Sequence, residues 1–355
     1  MPLAHDISSG EGIVSDNRNL PSGHPPVQTG RIGVLLVNLG TPDGTDVPSV
    51  RRYLREFLSD RRVIEVPKLI WWFILNLFIV TFRSPKTAKA YAKIWRTESD
   101  ESPLRYYTRQ QAEALAARFA GDATVTVDWA MRYGQPSIPD RLTALKDAGA
   151  ERILVFPLYP QYSATTTATV VDKVADTLRG MRWQPTLRFV PPYHDDPAYI
   201  GALAGSVQDA RLAQGSDTVL LASFHGLPQA YFDKGDPYHC HCHKTARLLR
   251  ERLGLDGEQL RLSFQSRFGP KAWLQPYTDA TLEELAQAGR TSVAVLTPGF
   301  AADCVETLEE IAIEGRAIFE EAGGKDFTMI PCLNDSDRHV DMLEEITRRE
   351  LSGWL

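Results

Sequence analysis

The sequence predicts an α/β protein of two similar halves, each a four-stranded parallel sheet flanked by helices, and three observations carry that prediction. Short β-branched apolar runs alternate with amphipathic stretches along the chain. The runs are continuously apolar, the pattern of strands covered on both faces by crossover helices. They fall into two groups of four, with no low-complexity linker between them.

Residues 1–29 hold no continuous apolar run and carry Asp6, Glu11 and Asp16. They fit neither a secretory signal nor an acidic-poor transit peptide, and read as a disordered lead-in. The first half, residues 30–195, offers strands at Ile32–Asn38, Thr124–Ala130, Arg152–Pro157 and Thr186–Val190, and an amphipathic helix over Ser102–Phe119. The second, residues 196–355, offers strands at Thr218–Phe224, Gln259–Gln265, Ser292–Thr297 and Phe327–Pro331, and a helix over Thr278–Ala288. The boundary falls within 191–216, and close packing of the halves is expected.

The apolar run Leu69–Val80 falls short of the roughly 20 residues that span a bilayer. It suits either a buried helix or an exposed lip. The lip would set Trp71, Trp72 and Phe73 at a membrane interface, flanked by Lys68, Arg83 and Lys86.

Composition excludes several classes. The 355 residues are 43% hydrophobic and 24% charged, as in ordinary soluble proteins, and the net charge of -6 and pI near 5.8 exclude a basic nucleic-acid binder. Four cysteines in a chain this long make no disulfide framework, so a reducing cytoplasm is expected.

Open α/β sheets bind ligands beyond the carboxyl ends of their strands. Those ends read NLGTP, MRYG, LYPQYS and PPYH in the first half, and SFHGLP, QSRFG, TPGF and CLND in the second. No GxGxxG or GxxxxGK[ST] loop occurs, so no nucleotide is expected. A cleft lined by Tyr133, Tyr159, Tyr162, Tyr193, Phe268 and Phe300 suits a large, flat, apolar ligand.

His225 follows a strand directly, beside Gly226, where an imidazole serves as a base or metal ligand, or simply bonds a neighbouring loop. Glu306, Glu310 and Glu314 fall at i, i+4 and i+8 of a helix that starts just after another strand. Such a row is a solvated face or a path for a cation. Imidazole and carboxylate ligands with open positions suit a divalent cation held briefly.

VNLGTP, LYPQYS, SFHGLP followed by GDPY, QSRFGP with Trp273-Leu-Gln-Pro, and ETLEEIAIE occur in this order across residues 31–335. Together they closely resemble the ferrochelatases, in an alpha-proteobacterial style. The resemblance implies two Rossmann-like, chelatase-type halves with a porphyrin between them, and insertion of ferrous iron, a substrate, as the last step of haem synthesis. It implies His225 as metal ligand and proton acceptor, Glu306 as the opposing carboxylate, and Glu310 and Glu314 as a metal conduit. Leu39, Arg132, Tyr133, Tyr159, Tyr162 and Trp273 would contact the macrocycle. The run around Trp71 would cover the porphyrin and, as in some members, touch the membrane from the cytoplasm.

The segment DPYHCHCHKTAR resembles members that use protoporphyrin IX. Coproporphyrin III, another tetrapyrrole or metal, or a non-catalytic haem carrier are the alternatives, and oligomeric state is left open. Cys240, Cys242, Cys304 and Cys332 are as many thiols as a [2Fe–2S] cluster needs, but match no cluster spacing. Ala164 follows YPQYS where some members have a cluster cysteine, and Cys304 stands where many have a histidine. No cluster is the expectation.

Asp236 and Pro237 predict a helix start, with Asp as N-cap and Pro at the first position of a helix reaching about Leu253. Tyr238, Cys242, Thr245 and Leu249 form its buried stripe. Cys240 and Cys242 point apart, whereas His239 and His243 share a face that is either plainly solvated or a surface metal site.

Overall fold

The computed structural model describes residues 30–210 and 218–355, so the expected lead-in at 1–29 lies outside the described residues. The chain opens with β1 (Arg31–Gly40), α1 (Val47–Leu58), α2 (Lys68–Ile74), a π-helical turn (Leu75–Ile79), α3 (Val80–Ile94) and α4 (Pro103–Arg118). Next come β2 (Val125–Tyr133), α5 (Ile138–Asp147), β3 (Ala150–Pro157), α6 (Thr167–Arg179), β4 (Thr186–Phe189) and α7 (Pro197–Asp209). The second set begins with β5 (Val219–His225), α8 (Gln229–Asp233), α9 (Tyr238–Leu253), β6 (Leu260–Gln265) and α10 (Thr278–Gln287). It ends with β7 (Ser292–Leu296), α11 (Val305–Leu308), a second π-helical turn (Glu310–Gly315), α12 (Arg316–Glu321), β8 (Asp326–Met329) and α13 (Asp337–Glu350).

All eight expected strands form, with ends within three residues of those read from the sequence. They make two four-stranded parallel sheets of the same order, β2-β1-β3-β4 and β6-β5-β7-β8. In each, the chain leaves the first strand to one side and returns on the other. The switch points are therefore β1/β3 and β5/β7, whose carboxyl ends are the places for a ligand.

Helix starts follow from local chemistry. Asp46, Ser102, Ser137 and Asp196 cap α1, α4, α5 and α7 by accepting a backbone N–H, and each is followed by Pro in the first or second helical position. The buried apolar side chains include one cluster that runs through both halves, from Val34, Leu36 and Phe156 to Phe224, Phe264 and Leu343. Between the halves Tyr231 donates to Val63 O at 2.9 Å, and Lys93 pairs with Glu309 at 2.7 Å.

The run Leu69–Val80 is mixed: most of it stands on the surface, while Leu75 and Val80 are buried. Leu69, Ile70, Trp72, Phe73, Leu77, Phe78 and Phe82 all stand exposed, Trp72 at 57%. Trp71 departs from the expectation. Its indole N–H donates to Leu58 O at 2.6 Å and draws the ring partly into the core behind the lip. No helix among the described residues is long and apolar enough to cross a membrane.

Two glycines let strand ends approach other backbone. A Cβ on Gly40, at φ 115°, would lie 1.8 Å from Tyr133 O, and one on Gly226 would lie 2.6 Å from Gln265 O. Gly226 N–H also donates to that Gln265 oxygen at 2.8 Å. Gly226→Ala is therefore expected to destabilise the fold by about 1–3 kcal/mol, the range of an overpacked buried site. Chemical denaturation reads this directly; an unchanged midpoint would show that the loop yields freely.

Candidate active site

His225 ends β5, paired with Gln265 of β6. Its Nδ1 lies 2.7 Å from Gly226 O. A carbonyl only accepts, so Nδ1 carries the proton and Nε2 of the neutral ring keeps its lone pair. The local turn thus selects the tautomer whose outer nitrogen can take a proton or bind a metal. Phe300, from the loop after β7, lies with its ring centroid 6.4 Å from that of His225.

Gln265, 3% exposed, joins this strand end to the acidic helix. Its Oε1 accepts from Ser223 Oγ at 2.8 Å, and its Nε2 donates to Glu306 O at 2.7 Å and to Glu310 Oε2 at 3.3 Å. Ser266, next in chain, has φ 65°, a left-handed conformation that is costly for a serine. That conformation directs both its N–H and its hydroxyl to the Glu310 carboxylate, each at 2.6 Å.

The three glutamates do not lie on one regular α-helix. Glu306 is in α11, and the helix then widens into the π turn Glu310–Gly315, where Glu314 N–H reaches back to Glu309 O at 3.0 Å. On an α-helix each four-residue step drifts by about 40°. A wider turn takes up that drift, and Glu310 and Glu314 line one pocket of about 210 Å³ with Gln265, Ser266 and Asp279. Burial raises the Glu310 carboxyl; the Ser266 hydrogen bond and His225 oppose this, and Glu306 adds to it. One buried carboxylate thus feels both His225 and Glu306.

Glu306 faces the first half. The Tyr53 and Tyr91 phenols, on α1 and α3, are held well above their ordinary value by burial first, with the Glu306 charge contributing to both. The loop before Glu306 is fixed by Asp303, which accepts from Thr307 Oγ1 at 3.0 Å and Asn334 Nδ2 at 2.7 Å. Gln111 of α4 donates across the halves to Ala301 O at 3.0 Å and Asn334 O at 2.9 Å. Gln265, Ser266 and Asp303 carry no individual sequence signal; the only pointer to the first two is QSRFG at a strand end.

The expected macrocycle contacts divide. Leu39 is half-buried against the cluster of Leu104, Ala302 and Cys304, Trp273 is half-buried beside Gly226, and Tyr162 is half-buried in the loop after β3. Tyr133, in contrast, is 0% exposed and its hydroxyl donates to Asp60 at 2.9 Å. Arg132 is bound to the same Asp60 and to Thr169 O at 2.8 Å. Both side chains are thus engaged by Asp60, which takes its donors from the end of β2. Tyr159 and Tyr193 are likewise buried, and Phe268 is exposed beneath Arg83 of α3, 4.3 Å from its ring centroid.

In DPYHCHCHKT the helix begins at Tyr238, one residue later than expected, with Asp236 accepting from Tyr238 N–H at 3.0 Å. Tyr238, Cys242, Thr245 and Leu249 are buried as read. The histidines are more than a solvated face. His239 and His243 rings lie 4.3 Å apart with His239 stacked on Phe264, and His241 stacks on His194 at 3.6 Å. Burial raises the Cys242, Cys304 and Cys332 thiols, while Cys240 is exposed. Among the described residues no three or more His, Cys, Asp or Glu side chains are grouped to hold a metal ion, so the four cysteines are not assembled into one set.

The likenesses of the chain to known proteins agree with this geometry. The family model described as Ferrochelatase matches residues 31–351. The chain is 60% identical to the ferrochelatase of Rhizobium meliloti (strain 1021) over 333 residues, 94% of this chain and 98% of that protein. It is 58% identical to the ferrochelatase of Agrobacterium fabrum (strain C58 / ATCC 33970) over 337 residues, 95% and 98% of the two chains. Among solved structures, SirB from Bacillus subtilis with Fe3+ is similar at TM-score 0.57 and 12% identity, covering 91% of this chain and 98% of that one, a likeness of fold alone. Two parallel four-stranded sheets of one order, a family match along nearly the whole described chain and relatives 58–60% identical place it among the ferrochelatases, the enzymes that insert iron into a porphyrin in haem synthesis.

Proposed function

We propose that the chain inserts ferrous iron into protoporphyrin IX, with His225 as proton acceptor and metal ligand opposite Glu306, and Glu310 and Glu314 leading the ion inward. The observation that carries this reading is the Nδ1 hydrogen bond of His225 to Gly226 O, which leaves Nε2 as the free base.

Metalation exchanges two pyrrole N–H protons for one Fe2+, so charge balances and no electron moves. A flat macrocycle keeps its nitrogens in plane; a cleft that bends it turns them out and exposes their protons. His225 accepts one proton and Glu306 assists from the other side. Holding the ring and the ion in register supplies much of the barrier reduction. The pocket at Glu310 and Glu314 gives the cation a row of oxygen ligands, which suits a hard-to-borderline ion in transit. Leu39, Tyr162 and Trp273 are the expected residues best placed for the macrocycle.

The exposed lip supports a peripheral contact with the cytoplasmic face of a membrane. Its apolar residues stand out together, and Lys68, Arg83 and Lys86 flank them. A haem carrier has no use for both His225 and Glu306.

His225→Ala is expected to lower anaerobic iron insertion by about 10²–10⁴-fold, the weight of a general base, with porphyrin binding retained. A near-normal rate would remove the central role. Glu310→Gln should raise KM for ferrous iron several-fold while porphyrin affinity holds; equal effects on both substrates would argue against a conduit. Parallel assays with protoporphyrin IX and coproporphyrin III decide the substrate, with the first expected to turn over faster. Replacing Trp72, Phe73 and Phe78 together by Ser should abolish co-sedimentation with anionic vesicles, and binding that survives would place membrane contact elsewhere.

A further inference from the structure

The stretch DPYHCHCHKT is not absorbed by the reaction above, yet it holds the neighbouring cleft loop residue by residue. Gln161 Nε2 donates to Thr245 Oγ1 at 3.1 Å, and Tyr162 N–H donates to His241 Nδ1 at 3.2 Å. Ser163 Oγ and Ala164 N–H both donate to Asp236 Oδ2, at 2.9 and 2.8 Å. Four consecutive residues after β3 are thus bound to α9 or the turn that starts it. The same helix holds the loop after β4, where Thr245 Oγ1 donates to His194 O at 2.8 Å and the His194 and His241 rings stack 3.6 Å apart at an interplanar angle of 5°.

We propose that His241 and Asp236 are positioning residues for the porphyrin cleft, holding residues 161–164, and with them Tyr162, through an acceptor on His241 that exists only while Nδ1 carries no proton. This rests on the reading of Tyr162 as a cleft residue.

The geometry fixes the tautomer. A backbone N–H can only donate, so Nδ1 of His241 is the lone-pair nitrogen and its proton sits on Nε2. Adding a proton to Nδ1 would set donor against donor and place a cation on the face of the His194 ring. The charged groups acting on His241 are Asp195 and Asp236, which favour that cation, and Lys244, which disfavours it. α7 and β6 also pack on α9, presenting Tyr199 to the Cys242 face and Phe264 to His239.

Burial, the largest cause, lowers His241, and His194 is lowered to about 4 by burial and then by His241. The sign follows from linkage. A histidine held below its ordinary 6.5 stays neutral in the fold while the unfolded chain takes up a proton. The clasp is therefore intact above pH 6.5, persists below it while the folded imidazole stays neutral, and is lost as pH falls through the lowered folded values.

Fluorescence titration of the intact chain with metal-free protoporphyrin IX, from about pH 8 down to about pH 4, through the ordinary histidine value and into the lowered range, tests this. His241→Gln keeps an acceptor that does not titrate; His241→Phe keeps the ring stack and drops the acceptor. The Phe variant should bind about fivefold more weakly at the alkaline end, the weight of one neutral hydrogen bond. Wild type should approach it on acidification, and the Gln variant should lose less than wild type. Asp236→Ala, which leaves the stack untouched, should weaken binding in the same direction. Parallel pH curves for wild type and the Gln variant, or full-strength binding by both the Phe and Asp236 variants, would overturn the positioning role while leaving the functional reading standing. Failure of wild type itself to bind porphyrin would overturn both.

Discussion

A single buried amide ties the end of β5 to the acidic helix of the second half. Gln265 pairs with His225 in the sheet, accepts from Ser223, and donates to the backbone of Glu306 and the carboxylate of Glu310. A primary amide donates through its NH2 and accepts through its carbonyl oxygen, so it can bridge a strand to a helix with no charge of its own. Its backbone oxygen also takes the Gly226 N–H, which is why no Cβ fits at position 226. His225, Glu306 and Glu310 are all tied to this residue.

Around it the site balances burial against charge. Glu310 is buried beside Glu306, an arrangement that favours the neutral acid, and the two Ser266 donors and His225 act against that. The left-handed serine is the local strain that brings both donors to bear. On the other side of Glu306, the Tyr53 and Tyr91 phenols stay protonated, so the wall facing that carboxylate carries no further negative charge.

The two halves share a strand order but not a task. The second supplies His225 and the glutamates, while the first supplies the lip, Leu39 and the loop bearing Tyr162. Gln111 reaches Ala301, in the loop before Glu306, and Asn334, which itself bonds Asp303 of that loop, so inter-half packing and the placement of that carboxylate are coupled. The apolar cluster that runs through both halves makes this a stiff arrangement.

Much of this was written locally in the chain. The eight strands and the caps of α1, α4, α5 and α7 depend on short apolar runs, on Asp or Ser, and on Pro, so neighbours in sequence determine them. His225 was legible for the same reason, as a lone imidazole at a strand end. Partners distant in sequence decided the rest. Asp60 drew Arg132 and Tyr133 inward across some 70 residues, and Leu58 O turned Trp71 away from the lip. The π turn that aligns Glu310 with Glu314, and the clasp of α9 on the Tyr162 loop, likewise arise only where separate elements meet. Periodicity reports which face a residue occupies, whereas a buried polar group must find its complement wherever the fold brings one within reach.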